Sequence, residues 1–227
     1  AIYQAQRALT LNPNDASANL SMGKTLNSVG KSKEAVEAIK KAISLDPHYT
    51  AYYNTELAGA YQNLGEYEQA IVCLKKSLVT NPNWILAHFK LAINYCLAWG
   101  ITQDKDPLLL DKASKSAEKL SANDDSSWYG YFALSIINLY KNQIEKTLAY
   151  AEKLVVLAPE NADSYAILAM GFNAAERPEK AIETVEKAMQ LNPAAPAWYL
   201  RILATAYASS GRTTEAVATY KRVLDRN

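Results

Sequence analysis

Five prolines recur along the chain at nearly constant intervals, each in a similar short context. They are Pro13 in LNPND, Pro47 in LDPHY, Pro82 in TNPNW, Pro159 in LAPEN and Pro193 in LNPAA. The successive intervals are 34, 35, 77 and 34 residues. The long interval fits one repeat of 34 residues and one of 43, with Asp125 at the place of the missing proline. A period in this range predicts a stacked array of identical structural units.

Small residues recur in the same register, twice in each repeat. The first series is Gly23, Ala58, Ala92, Ser135, Ala169 and Ala204, and the second is Ala1, Ala35, Ala70, Ala113, Thr147, Ala181 and Ala216. A large apolar residue precedes each member of the first series, and an aromatic or apolar residue follows most of them three positions later. This spacing places the large side chains on one stripe of an amphipathic helix. We therefore expect the small residues to mark close approaches between two helices.

Glycine separates the two helical stretches in three of the repeats, within VGKSKE, LGEYEQ and SGRTTE. Glycine takes a positive φ without steric cost and so ends a helix well. Each repeat is therefore predicted to consist of a helix, a turn, a second helix and a loop marked by proline. The fold class that follows is all-α, a solenoid of antiparallel helix pairs.

The order of large apolar, small, aromatic, Ala, bulky, Ala and Pro residues resembles the tetratricopeptide repeat family. Residues 51–82 and 164–193 carry the pattern best. The resemblance implies a right-handed superhelical solenoid over residues 1–227, without a second domain. Its expected parts are a second helix of a truncated repeat at 1–15, then repeats at about 16–50, 51–84, 85–127, 128–161, 162–196 and 197–227. An insertion at 99–107 is expected between the helices of the third repeat, with Asp106 and Pro107 starting the second helix.

The resemblance also implies a concave groove lined by the first helix of every repeat. The side chains expected there are Tyr52, Glu56, Phe89, Lys90, Ile93, Leu97, Tyr129, Phe132, Met170, Asn173, Trp198 and Arg201. Its aromatic centre suits an apolar extended segment or one face of a helix. The alternative is that several of these aromatic residues are buried, with Ile136 and Tyr140 foremost in the core. Members of the family that grip a terminal carboxylate carry Lys and Asn where Leu20 and Lys24 stand here, with further basic or amide residues where Glu56, Leu86 and Lys90 stand. That clamp is not matched.

Charge, cysteine and histidine positions and the absence of catalytic motifs exclude several classes of function. The net charge of +1 provides no electrostatic footprint for nucleic acid, and no apolar stretch reaches the length of a membrane span. Cys73 and Cys96 are expected to be small helix residues, and neither histidine has a partner at metal-ligand spacing. No phosphate-binding loop, nucleophile elbow or zinc-protease motif occurs, so we expect no enzyme activity, no cofactor and no metal.

The expected function is a scaffold or adaptor module that binds a peptide or protein in the groove. One alternative is an architectural segment that forms homo-oligomers through exposed solenoid ends. Another is a groove that binds a lipid or a small apolar ligand. The chain begins without methionine or a signal core, and we expect it to be a segment of a longer protein. Residues 196–224 also resemble the last repeats of tetratricopeptide regions in bacterial adenylate cyclase-like signalling proteins.

Overall fold

The computed structural model describes residues 2–102, 106–120 and 127–224, and it is helical throughout. The helices are α1 (Ile2–Leu11), α2 (Ala16–Ser28), α3 (Ser32–Leu45), α4 (Ala51–Asn63), α5 (Tyr67–Thr80), α6 (Ile85–Ile101), α7 (Pro107–Glu118), α8 (Ser127–Tyr140), α9 (Ile144–Leu157), α10 (Ala162–Ala174), α11 (Pro178–Leu191), α12 (Ala197–Ser209) and α13 (Thr213–Leu224). No strand occurs within these ranges, which confirms the all-α class. Ala1 and Asp125 lie outside the described residues.

The helices pack in consecutive pairs. The pairs with the most extensive contacts are α2 with α3, α4 with α5, α6 with α7, α8 with α9, α10 with α11 and α12 with α13. The first helix of a pair also contacts the first helix of the next, as in α2 with α4 and α4 with α6. The contacts divide the chain into two compact units, Ala1–Lys119 and Leu120–Asn227. The expectation that one solenoid spans the whole chain stays a prediction.

Among the described residues, the turns within five of the pairs, all except α6 with α7, contain a residue with a positive φ. Gly30, Gly65 and Gly211 have φ angles of 83°, 76° and 78°, which confirms the predicted role of these glycines. Asn142 and Glu176 occupy the corresponding turns of other pairs with φ angles of 56° and 55°. For a residue with a Cβ, this left-handed conformation costs roughly 1 kcal/mol. The repeat geometry therefore imposes the turn even where the sequence does not favour it.

The small residues lie where helices approach each other, as predicted. Ala35, Ala58, Ala70 and Ala92 are completely buried, and the same holds for Ala169, Ala181 and Ala204 in the second unit. Gly23 shows how close the approach is, because a Cβ built on it would lie 2.4 Å from Cγ1 of Ile39. A larger side chain at such a point would separate the two helices.

The predicted insertion is partly helical. Residues 103–105 lie outside the described ranges, but Trp99, Gly100 and Ile101 continue α6, which is 17 residues long. The expectation that these three residues lie between the helices is therefore wrong. Asp106 accepts a hydrogen bond from the amide of Leu108 at 2.9 Å and Pro107 occupies the first turn of α7, both as predicted. Among the described residues no helix has the length and apolar character that crossing a membrane requires.

Candidate protein-binding surface

The helix α4 has one stripe of residues that are not buried. On α4 the stripe consists of Tyr52, Glu56, Gly59 and Asn63, which follow one another at intervals of four, three and four residues. This spacing keeps them on one side of the helix. None of the four is buried. We call the corresponding surface of α2, α4 and α6 the first-helix face of the N-terminal unit.

Charged side chains of alternating sign lie across this face. Lys24 of α2 stands over the ring of Tyr52, with its Nζ atom 5.0 Å from the ring centroid. The Tyr52 side chain chiefly raises the pKa of Lys24, and the Glu56 carboxylate adds a smaller electrostatic contribution. On α6, burial lowers the pKa of the Lys90 ammonium group, while the Glu56 carboxylate opposes that shift. The structure therefore brings the predicted groove residues Tyr52, Glu56 and Lys90 together.

An amide network connects the same three helices. Asn63 of α4 donates a hydrogen bond to Oδ1 of Asn27 on α2 at 3.0 Å. Asn94 of α6 donates to Oε1 of Gln62 on α4 at 2.9 Å. Asn94 is completely buried, and sequence reasoning did not identify it as part of this surface. The sequence feature that could have identified Asn94 is its position as a polar residue within α6, the most apolar helix of the unit. Hydrogen bonds between neighbouring first helices hold their relative position, because each bonded amide has defined geometry.

Beside Lys90, α6 carries an apolar stripe. Phe89, Ile93 and Leu97 are all partly buried, so each retains some surface accessible to a partner. Their partial burial agrees with both interpretations of the sequence, the partner-binding groove and the buried core. Each side chain packs against the protein and also retains accessible surface. Whether they contact a partner stays a prediction.

A concavity lies at the edge of the same face, where the loop from α3 enters α4. Its volume is about 270 Å³. The residues that line it are His48, Tyr49, Thr50, Ala51, Tyr52, Thr80, Asn81 and Trp84. Tyr52, whose ring also contacts Lys24, is one of these lining residues. The sequence did not predict it, because its walls come from two loops and from the ends of two helices.

The C-terminal unit has an aromatic cluster on its first helix, α8. The ring of Trp128 lies edge-on to Tyr129 at 5.1 Å and is tilted against Phe132 at 5.2 Å, between ring centroids. The Trp128 indole N–H donates to the hydroxyl of Ser164 on α10 at 3.1 Å. Tyr129 and Phe132 are partly buried. Ile136 on the same stripe is buried, as the core interpretation of the sequence expected, but Tyr140, which the same interpretation placed in the core, is only partly buried.

The other predicted residues of this unit lie on α10 and α12. Met170 and Trp198 are partly buried and pack against the hydrophobic core of the unit. Asn173 donates a hydrogen bond to the carbonyl oxygen of Ile202 at 3.0 Å, so it joins α10 to α12. Arg201 is exposed. Three of these four side chains therefore have a structural role besides any contact with a partner.

Comparison with known families supports the repeat assignment. One tetratricopeptide repeat model matches residues 16–49 and 51–83, and a second one matches residues 172–227. Together the matched segments cover more than half of the chain. Among curated protein sequences, none matches significantly. No comparison bears on the resemblance to adenylate cyclase-like signalling proteins, which stays a prediction.

Solved structures with the same fold come from distant relatives. A tetratricopeptide repeat protein from Parabacteroides merdae is similar with a TM-score of 0.74 and 16% identity, over 100% of this chain and 86% of that one. A thermophilic protein of the same kind from Thermus thermophilus has a TM-score of 0.73 and 15% identity, over 84% of this chain and 98% of that one.

A further similar structure is a chain of the APC/C hetero-tetramer Cut9-Hcn1, with a TM-score of 0.73 and 16% identity. It covers 100% of this chain, which spans only 43% of that one. At these identities the likeness concerns the fold, which it confirms as a stack of helix pairs. Together with the two matching repeat models, it identifies the chain as a member of the tetratricopeptide repeat family.

Proposed function

We propose that this chain is a protein-interaction scaffold that binds a peptide or protein segment on the faces of its first helices. Members of this family are in general non-enzymatic scaffolds. The observation that carries the proposal is the set of partly buried aromatic and apolar side chains on α6 and α8. Large aromatic side chains that retain accessible surface contribute much of the binding energy in protein interfaces. A bound segment would complete their burial.

The contacting segment is an extended strand or one face of a helix. Phe89, Ile93 and Leu97 are spaced along α6 by four residues each. Such a row offers a partner several shallow apolar contacts instead of one deep pocket. Recognition of this type uses a few anchoring side chains on the partner.

The test compares two double variants in a selection from a random peptide library displayed on phage. Phe89→Gln with Tyr129→Gln removes one aromatic ring from each unit. Val79→Gln with Val156→Gln is the matched control, because these valines lie on second helices and are 84% and 80% exposed. Peptides enriched by the unchanged chain are then measured against both variants by fluorescence polarisation, and circular dichroism verifies the helical content.

We expect the aromatic variant to lose binding by at least about tenfold while it retains its helices, and the valine variant to bind normally. Undiminished binding by the folded aromatic variant would remove α6 and α8 from the proposal. Loss of binding in the valine variant alone would move the site to the second helices.

Self-association is the second candidate function, and one observation favours it. The helix α13 exposes Val217, Tyr220 and Leu224 by 49%, 42% and 72%. Apolar side chains grouped on one helix favour contact with another protein surface. Light scattering over a wide concentration range tests this candidate. A mass that stays near 25.0 kDa would contradict it, and a mass that rises with concentration would support it.

A further inference from the structure

Three aromatic rings line the concavity between the loops that lead into α4 and α6. Tyr49, Tyr52 and Trp84 are all partly buried there, so each ring keeps some accessible surface. The volume of about 270 Å³ lies below the range of about 300 to 1,000 Å³ that is typical of pockets for drug-sized ligands. The concavity therefore has room for one large side chain of a partner.

Two of these rings stand where other repeats carry a helix-capping side chain. Tyr49 and Trp84 each follow the loop proline by two residues, as Asp15 and Asn161 do in two other repeats. The side chains of Asp15 and Asn161 accept hydrogen bonds from amides in the first turn of α2 and α10, each at 2.9 Å. Neither α4 nor α6 has such a side-chain cap. The exchange sacrifices stability at two helix starts, and a residue that breaks a local rule of folding in this way indicates a functional site.

The loops hold both rings in place before any partner arrives. The amide of Tyr49 donates to the carbonyl oxygen of Asp46 at 3.2 Å, and the amide of Trp84 donates to that of Asn81 at 3.1 Å. Tyr53, which is only 8% exposed, packs against the Tyr49 ring with 6.1 Å between the ring centroids. Binding to such prepositioned walls requires little further ordering of the protein.

The indole of Trp84 presents an apolar surface to the concavity. Its Nε1 atom is buried and has no hydrogen-bond partner among the described residues. Because Nε1 is the only polar atom of an indole side chain, the accessible part of this ring consists of carbon. The arrangement leaves a buried donor unpaired, which is unfavourable for folding, and it favours an apolar occupant of the concavity.

Charge excludes a cationic occupant. None of the residues that line the concavity is acidic. The Nζ atom of Lys24 already lies 5.0 Å from the centroid of the Tyr52 ring, so a second cation at that ring would be repelled. The helix α4 also begins here, and its dipole directs the positive end towards the concavity. A neutral ring therefore fits better than an ammonium group.

We propose that this concavity binds one neutral aromatic side chain of a protein partner, with its ring against Tyr49 and Trp84. An aromatic occupant is favoured over an aliphatic one because ring pairs attract each other beyond the effect of buried area alone. This inference rests on the proposed function, because it names one anchoring residue of the partner. It uses neither of the side chains, Phe89 and Tyr129, that are changed in the test of that function.

Nuclear magnetic resonance titration of the ¹⁵N-labelled full chain tests the site. The probes are the unlabelled peptide acetyl-Gly-Ser-Trp-Ser-Gly-amide and two peptides in which leucine or lysine replaces the tryptophan. The chain contains four tryptophans, so the indole region holds four signals, and the signal of Trp84 is the one that Trp84→Asn removes. The backbone amide of Ala51 is the second reporter, which Trp84→Asn retains.

We expect the tryptophan peptide to shift both reporters saturably, with a Kd at least about fivefold lower than that of the leucine peptide. The lysine peptide should cause no saturable shift. Trp84→Asn and Tyr49→Ser should each raise the Kd of the tryptophan peptide at least about tenfold. Tyr3→Ser is the matched control, because Tyr3 on α1 is 74% exposed and lies outside the concavity, and it should bind normally. Circular dichroism verifies the helical content of each variant.

The absence of a saturable shift with the tryptophan peptide would overturn the inference, and so would equal affinity for the leucine or lysine peptide. Undiminished binding by folded Trp84→Asn or Tyr49→Ser would overturn it as well. The peptides selected by phage display separate this result from the proposed function. If they bind Trp84→Asn normally but lose affinity for the Phe89 and Tyr129 variant, the proposed function stands and the aromatic site fails.

Discussion

Replacing Gly23 by alanine tests how closely the helices of a pair approach each other. The new Cβ would lie 2.4 Å from Cγ1 of Ile39 and 3.1 Å from the carbonyl oxygen of Ala35. Ile39 is completely buried and β-branched, and Ala35 contributes backbone, so neither atom can move aside easily. Overpacking of this kind costs up to about 3 kcal/mol. Alanine favours the helix over glycine by about 1 kcal/mol, which leaves a net loss of about 2 kcal/mol.

The same substitution at two other helical glycines provides the controls. At Gly171 the nearest atom would be Cδ2 of Leu148 at 2.9 Å, the mobile end of a partly buried side chain. This side chain can move away at little energetic cost, so we expect the free energy of unfolding to change by close to zero. At Gly59 no contact would be shorter than 3.4 Å, and we expect a gain of about 1 kcal/mol from helix propensity alone. The predicted order of stability is Gly59→Ala, Gly171→Ala, Gly23→Ala.

Urea unfolding followed by circular dichroism measures all three variants. Gly23 and Gly59 both lie in the N-terminal unit, so Gly23→Ala and Gly59→Ala form the direct comparison. The midpoint shift at constant m-value gives the change in stability. If Gly23→Ala unfolded at the same urea concentration as Gly59→Ala, the close approach inferred from the small residues would be refuted.

Three further predictions concern buried side chains. Tyr199 is completely buried and its hydroxyl donates to Asp163 at 2.5 Å, so Tyr199→Phe should cost about 1.5 to 3 kcal/mol in urea unfolding. Burial and the Asp163 carboxylate raise the pKa of Tyr199, so the folded chain holds the hydroxyl proton more tightly than the unfolded chain does. The free energy of unfolding of the unchanged protein should therefore fall above roughly pH 10, where the tyrosine of the unfolded chain loses its proton. Tyr199→Phe should show a smaller fall. Burial also raises the pKa of the Cys73 thiol, and Cys96 is completely buried. Both cysteines should therefore react with a thiol reagent only as fast as the chain unfolds. Immediate labelling of the native protein would contradict this prediction.

Local and periodic features were accessible from the sequence. The glycine turns at residues 30, 65 and 211 and the cap at Asp106 depend on a few neighbouring residues. The buried alanines follow from a period that the whole chain repeats. Such features need no knowledge of distant contacts, because backbone sterics and helical periodicity determine them.

Other features required the packed helices. The periodic pattern did not show that Trp99 to Ile101 continue α6, because the extra residues of that repeat have no counterpart elsewhere in the chain. The positive φ of Asn142 and Glu176 was equally hidden, since neither residue type demands it. In both cases the surrounding helices decide the backbone conformation.

The sequence by itself determined that the chain is all-α, that its unit is a helix pair, and that the large apolar side chains of each first helix lie on one stripe. Tertiary structure alone decided which polar side chains meet. Asn27, Gly59 and Lys90 come from three helices more than 30 residues apart in sequence from one to the next, and they converge only because α2, α4 and α6 lie side by side. Periodicity assigns a residue to a face of its helix, but the distance between donors on neighbouring helices depends on how closely those helices pack.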